Sequence, residues 1–107
     1  MTKKIQNTVN KIASILSKGI DANEIYLFGS QANNTANKDS DIDIFVVANL
    51  KNKKKIEQTQ LARRLLLNQI SFPVDILICD SEDFEKRKAI RSCFEHIIYS
   101  EGIKIYG

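Results

Sequence analysis

Residues 41–48, Asp-Ile-Asp-Ile-Phe-Val-Val-Ala, limit the possible folds of this chain more than any other stretch. The run begins by alternating, with Ile42 and Ile44 set against Asp41 and Asp43, and continues as the unbroken apolar sequence Phe45-Val46-Val47. It is short for a helix and rich in β-branched residues, the pattern of a largely buried strand. A strand buried on both faces needs cover above and below, so helices must pack on a central sheet.

The flanking sequence supplies that cover. Ile5, Val9, Ile12, Ile15 and Leu16 recur at helical spacing and predict an amphipathic helix over residues 3–18, with Gly19 as its stop. Glu24 to Phe28 reads as a strand that enters a turn at Gly29, and Ser30 to Ser40 holds one turn and a loop. Ile56, Leu61, Leu65, Leu66 and Ile70 predict that residues 51–70 form a helix with one face on the sheet. Phe72 to Cys79 is a further strand, with Pro73 near its start. Ser81 is expected to cap a helical segment carrying Phe84, Ile90, Phe94, Ile97 and Ile98, as one helix or two. Gly102 ends it, and Ile103 to Tyr106 alternates as a final strand. The element order is that of an α/β (α+β) protein, in one domain spanning residues 1–107.

Composition excludes several classes. With 43% hydrophobic and 27% charged residues the chain is neither disordered nor fibrous. Cys79 and Cys93 are too few and too far apart for a disulfide framework or a thiolate metal site, and both are expected to be structural thiols. No segment approaches the roughly 20 apolar residues of a membrane span, so a cytoplasmic protein without a membrane partner is expected. The net charge of +3 does not define a nucleic-acid protein, and the basic run Lys51, Lys53, Lys54 and Lys55 reads as a solvated helix start. His96, the only histidine, is expected to be structural, and Tyr99 and Tyr106 to pack at the core or its rim.

The chemistry lies in Gly29-Ser30-Gln31-Ala32 and Ser40-Asp41-Ile42-Asp43. A glycine after a strand lets the backbone approach a phosphate, and Ser30 adds a hydroxyl donor. Asp41 and Asp43, two apart in a strand, fall on one face, where like charges repel unless a cation joins them. Hard divalent ions such as Mg²⁺ take such oxygen ligands together with substrate phosphates. Asp75 sits in the apolar run Phe72 to Ile78, where a buried charge would cost several kcal/mol unless paired or metal-bound. If its strand neighbours that of Asp41 and Asp43, three carboxylates meet, enough for one or two metal ions and displacement at phosphorus. Ser40 is read as a local turn residue.

These residues, in this order, resemble the minimal nucleotidyltransferases (MNT) of the DNA polymerase beta-like superfamily, whose signature is G-S…D-x-D with a later Asp. The likeness covers nearly the whole chain, extends to the closing Glu101-Gly102-Ile103-Lys104-Ile105-Tyr106, and implies the nucleotidyltransferase fold, a mixed central β-sheet flanked by helices, which agrees with the element order. It implies that Asp41 and Asp43 hold two Mg²⁺ ions, that Asp75 completes the catalytic ion and positions the attacking hydroxyl, and that Gly29 and Ser30 hold the triphosphate of ATP. It also implies an MntA-like antitoxin that adenylylates a tyrosine of a cognate HEPN-type toxin, with ATP and that toxin as partners and an oligomer allowed. A non-catalytic antitoxin that occludes its partner and a nucleotide-binding regulatory subunit are the alternatives. The chain departs from the common pattern at Gln31, Asn33 and Asn34, where an arginine- and glycine-containing turn is frequent; asparagine can adopt the left-handed backbone that such a glycine would need.

Overall fold

Helix α1 (Lys3–Gly19) buries Ile5, Val9, Ile12, Ala13 and Leu16 along one side, and the Thr2 side chain caps it by accepting from the Ile5 amide at 3.2 Å. The computed structural model describes residues 1–37 and 40–107. The helix runs through Gly19, and the left-handed residue behind it is Asp21, at φ 53°. Gly19 therefore serves packing instead of termination: a Cβ there would lie 2.3 Å from Leu65 Cδ1, so its absence lets α1 and α2 approach.

The sheet has four strands in the order β3-β2-β1-β4. Strand β1 (Ala22–Phe28) pairs antiparallel with both β2 (Ile42–Ala48) and β4 (Ile103–Tyr106), and β2 pairs parallel with β3 (Val74–Asp80). A parallel pair needs a crossover, which α2 (Lys55–Leu67) supplies. Alternation along the strands sends two apolar sets to opposite faces. Ile25, Leu27, Ile42, Ile44, Val46, Ile76 and Ile78 meet α1 and α2 on one side. On the other, Tyr26, Phe45, Val47 and Cys79 meet Phe84 and Ile98, with the Phe84 ring 5.7 Å from those of both Tyr26 and Phe45. The mixed sheet with flanking helices is thus the expected class.

Several local expectations need correction. Asp80, not Ser81, caps α3 (Ser81–Arg87): its carboxylate accepts from the Glu82 amide at 3.1 Å and from the Leu50 amide at 2.9 Å, and the Leu50 bond above all holds its pKa below the ordinary carboxylate value. The last helical segment is two pieces, α3 and α4 (Phe94–Glu101), and of its apolar residues only Phe84 and Ile98 are buried. Helix α2 is shorter than residues 51–70, and Ile56 points outward. Of the lysine run expected as a solvated helix start, only Lys55 opens α2; Lys51, Lys53 and Lys54 precede it, and all four are exposed. His96 is structural, its Nδ1–H donating to the Lys88 carbonyl at 2.7 Å, while Tyr99 and Tyr106 lie largely exposed. Cys79 is buried and Cys93 partly so. Among the described residues, no helix is long and apolar enough to cross a membrane.

Because α3 starts where β3 ends, the two short helices cover the second face only toward the C-terminal ends of β2 and β3. The N-terminal ends of those strands stay open on that side, and the acidic residues stand there.

Candidate active site

Asp43 and Asp75 are lateral partners in the parallel β2–β3 register, so both carboxylates leave the same face on strands roughly 4.8 Å apart. Asp41 precedes β2 and lies two residues from Asp43. The structure therefore brings Asp43 and Asp75 to one end of one face, with Asp41 close enough for its charge to act on Asp43. Asp75, however, is exposed and not buried, because β3 is an edge strand whose second face is open near its start. The charge is tolerated through water and not through a buried partner.

Asp43 is the partly buried member. Burial, and then the charges of Asp75 and Asp41, push its carboxyl above the ordinary value of 3.8. Among the described residues none of the three forms an ion pair with a cation. Nor, among those residues, are three His, Cys, Asp or Glu side chains drawn together into a ready metal cage. The three-carboxylate ligand set is thus not preassembled by the protein alone. An open set of oxygen donors nevertheless fits Mg²⁺, which keeps waters and is commonly held by one or two carboxylates with substrate phosphates completing its shell.

Gly29 meets this group by register. Phe28, the last residue of β1, pairs with Asp43, so the chain turns beside the Asp43 carboxylate as it leaves the strand. Gly29 has φ +72°, and a Cβ there would lie 2.2 Å from Asp43 Oδ2. Glycine is needed both for a left-handed backbone and for the space that the carboxylate fills. The helix that sequence places after it is a single 3-10 turn, Gly29–Gln31, whose Gly29 carbonyl accepts from the amides of Ala32 and Asn33 at 3.1 and 3.2 Å. Ser30 is half-buried, and its carbonyl accepts from the Thr35 amide at 3.0 Å. Asn34 has φ 61°, the left-handed conformation required where glycine is absent. Ser40 acts locally, its Oγ accepting from the Asn37 amide at 3.0 Å.

Sequence reasoning missed the apolar ground beside the carboxylates. Leu77, next after Asp75 on its face, is 47% exposed. Phe94 is 43% exposed while its ring stands edge-on to Phe28 at 5.6 Å. The only signal for Leu77 was its two-residue spacing from Asp75; for Phe94 there was none, since tertiary packing alone brings α4 to β1.

An acidic pair in lateral register, backed by a tight glycine turn at the end of the neighbouring strand, can hold a cation against a phosphate. Comparison with known proteins agrees. A family model described as Polymerase beta, Nucleotidyltransferase matches residues 10–106. A crystal structure of a Sulfolobus solfataricus protein, provisionally assigned as a nucleotidyltransferase, superimposes with a TM-score of 0.55 at 22% identity, covering 80% of this chain and 82% of that one. At that identity the likeness concerns the fold. No curated protein matches. Since the family match takes in nearly every residue, including the Gly29 turn and all three carboxylates, this chain belongs to the polymerase beta nucleotidyltransferase family, whose general reaction is nucleotidyl transfer.

Proposed function

We propose that this protein transfers AMP from Mg²⁺-bound ATP to a tyrosine hydroxyl of a partner protein, and that the partner is a HEPN-type toxin which the modification inactivates. The observation that carries the reaction is the lateral register of Asp43 with Asp75, Asp41 alongside, at the open end of one sheet face. Asp41 and Asp43 would hold Mg²⁺, with Asp75 completing the set once nucleotide phosphates supply the missing oxygens. Bound there, Mg²⁺ offsets the charge of the triphosphate and of the leaving group.

Gly29 and Ser30 hold the triphosphate through backbone amides and the Ser30 hydroxyl. Asp75, the exposed carboxylate, positions the incoming hydroxyl and draws on its proton. The tyrosine oxygen forms a bond to the α-phosphorus, the bond from that phosphorus to the bridging oxygen breaks, and pyrophosphate departs. A protein acceptor suits the open face, where Leu77 and Phe94 present apolar surface next to the carboxylates. The HEPN pairing rests on the resemblance of the motif as a whole.

Occlusion without transfer is the second reading, favoured by one observation: the turn from Gly29 to Asn37 carries no Lys or Arg to hold phosphate. One experiment separates the two. The protein is incubated with Mg²⁺ and labelled ATP, with and without its co-purifying partner, and the products are searched by mass spectrometry for added AMP, with Asp43→Asn as control. Labelling of the partner that disappears in the variant supports transfer. A stable complex that stays unlabelled with each of the four nucleotides supports occlusion.

A further inference from the structure

Strand β3 is the outermost of the sheet, and among the described residues no strand pairs with its free side. No backbone group of residues 74–78 is bonded outside the sheet among those residues, so the edge presents a row of open N–H and C=O groups. Alternation gives this edge two different sides. Asp75 and Leu77 stand exposed on the open face, with Asp43 beside Asp75. Val74 and Ile76 turn to the opposite face, where they border a groove of about 380 Å³. Every described residue that lines the groove belongs to α2, to β3 or to the link between them, so it runs along the outer flank of the sheet and not beneath its centre. Leu66, Leu67 and Ile70 form its other wall, and Leu67 is left 76% exposed. Arg63 is the one charged residue among the described lining, and it forms no ion pair among the described residues.

An extended polypeptide is the ligand that uses a free strand edge with a distinct surface on each side of it. Its main chain completes the ladder while its side chains alternate between the two faces. We infer that the acceptor protein presents its tyrosine in an extended segment that joins the sheet as a fifth strand along β3. In an antiparallel segment, a tyrosine opposite Asp75 has its Cβ roughly 5 Å from that of Asp75, close enough for the long side chain to carry its hydroxyl over the Asp43–Asp75 pair. The residues before and after it then point the other way, into the groove against Val74, Ile76 and Leu67, and are apolar. A residue three positions from the tyrosine falls on the same side as these two, meets Arg63 and is acidic. A second copy of this chain lacks that pattern: Tyr26 is buried, and Tyr99 and Tyr106 each have a single apolar neighbour and no acidic residue three positions away. The inference rests on the transfer reading above and names the form in which that reaction takes its acceptor.

Short peptides with a central tyrosine and every other position randomised serve as probes in two assays: retention on the immobilised protein without nucleotide, and adenylylation with Mg²⁺ and ATP. Retained peptides should be enriched about ten-fold for apolar residues on both sides of the tyrosine, the scale of burying one such side chain, and for Asp or Glu three positions away. N-methylation of a selected peptide should abolish retention at alternate amides only, since one edge of a strand faces β3. Leu67→Lys and Arg63→Glu, both at exposed positions, should each weaken retention about ten-fold, and Arg63→Glu should turn the acidic preference into a basic one. Ile56→Lys, exposed on the same helix outside the groove, should change nothing. No enrichment beside the tyrosine, methylation felt equally at every amide, or wild-type retention in Leu67→Lys would overturn the inference; so would a wild-type dimer that Leu67→Lys dissociates. Peptides selected at this edge yet never adenylylated refute the transfer reading alone. A partner protein adenylylated by Leu67→Lys and Arg63→Glu with wild-type KM refutes the strand docking alone.

Discussion

Replacing Gly29 with alanine separates two costs that the structure places on one residue. The first is conformational: at φ +72° an alanine sits in the left-handed region, which costs about 1–2 kcal/mol. For a domain of this size that lowers the thermal midpoint by about 5–10 °C. The second is positional. The new Cβ would stand 2.2 Å from Asp43 Oδ2 and 3.2 Å from Asp43 Cγ, whereas ordinary contact begins at 3.4 Å, so the carboxylate oxygen must retreat by about 1 Å. Asp43 is short and its outer end is what collides, so it rotates away without moving the strand, and little stability is lost on that account. Function suffers more, since misplacing a reacting group by about 1 Å costs on the order of 100-fold in rate. Gly29→Asn divides the effects. Asparagine accepts the left-handed backbone, as Asn34 does at φ 61° in the same turn, but it carries the same Cβ. Thermal unfolding by circular dichroism should show a smaller loss for Asn than for Ala, while AMP transfer falls by a similar factor in both. An alanine variant with wild-type midpoint and wild-type rate would refute the reasoning, and equal destabilisation by Ala and Asn would refute the assignment of the stability cost to φ.

Four other outcomes follow from the same contacts. Asp43→Asn should stay folded and lose transfer; burial, and then two carboxylates, raise the Asp43 pKa, so the fold binds that proton more tightly than the unfolded chain does. With divalent ions chelated, the wild type therefore gains stability as pH falls from that raised value toward 3.8, and a midpoint-against-pH curve for the Asn variant should lack the gain. Ile12→Ala, at a fully buried position of α1, should cost about 2–5 kcal/mol in urea unfolding. Burial pushes the Cys79 thiol up to about 11, so a thiol reagent at neutral pH should spare Cys79 until the protein unfolds, as peptide mapping would show. Tyr26, buried and hydrogen-bonded to Glu24, has its pKa raised to about 12, and an alkaline difference spectrum should find one tyrosine titrating there, lower in Glu24→Gln.

Helix α1, the strands ending at Phe28 and starting at Ile42, and the closing strand were legible because their signals are local. A 3.6-residue apolar period or a short β-branched run specifies both the element and the face it hides. The D-x-D spacing was legible as a motif, but only Asp43 falls inside β2; Asp41 stands one residue before the strand, where alternation no longer fixes its side. That an asparagine would serve a left-handed turn after Gly29 could also be read, since few other residues accept that backbone, but only the structure assigns it to Asn34. The breaks in the second and last helical segments were less clear, since Ile56, Ile90, Phe94 and Ile97 carry an apolar period that the fold leaves partly facing water.

Distances between elements lay beyond such reading. Whether Asp75 met Asp43 depended on β2 and β3 pairing in parallel with one particular register, a choice made by α2 packing across the sheet. The openness around Asp75 followed from β3 lying at the edge and from α3 and α4 being too short to cover it. The groove beside the β3 edge joins Arg63 of α2 to Ile76 of β3, and no periodicity encodes that approach. Local sequence thus determined which residues could carry charge, turn sharply or hide from water, because those properties belong to a residue and its near neighbours. Only the tertiary structure decided which of them share a site, because that depends on how separate elements bury their apolar faces against one another.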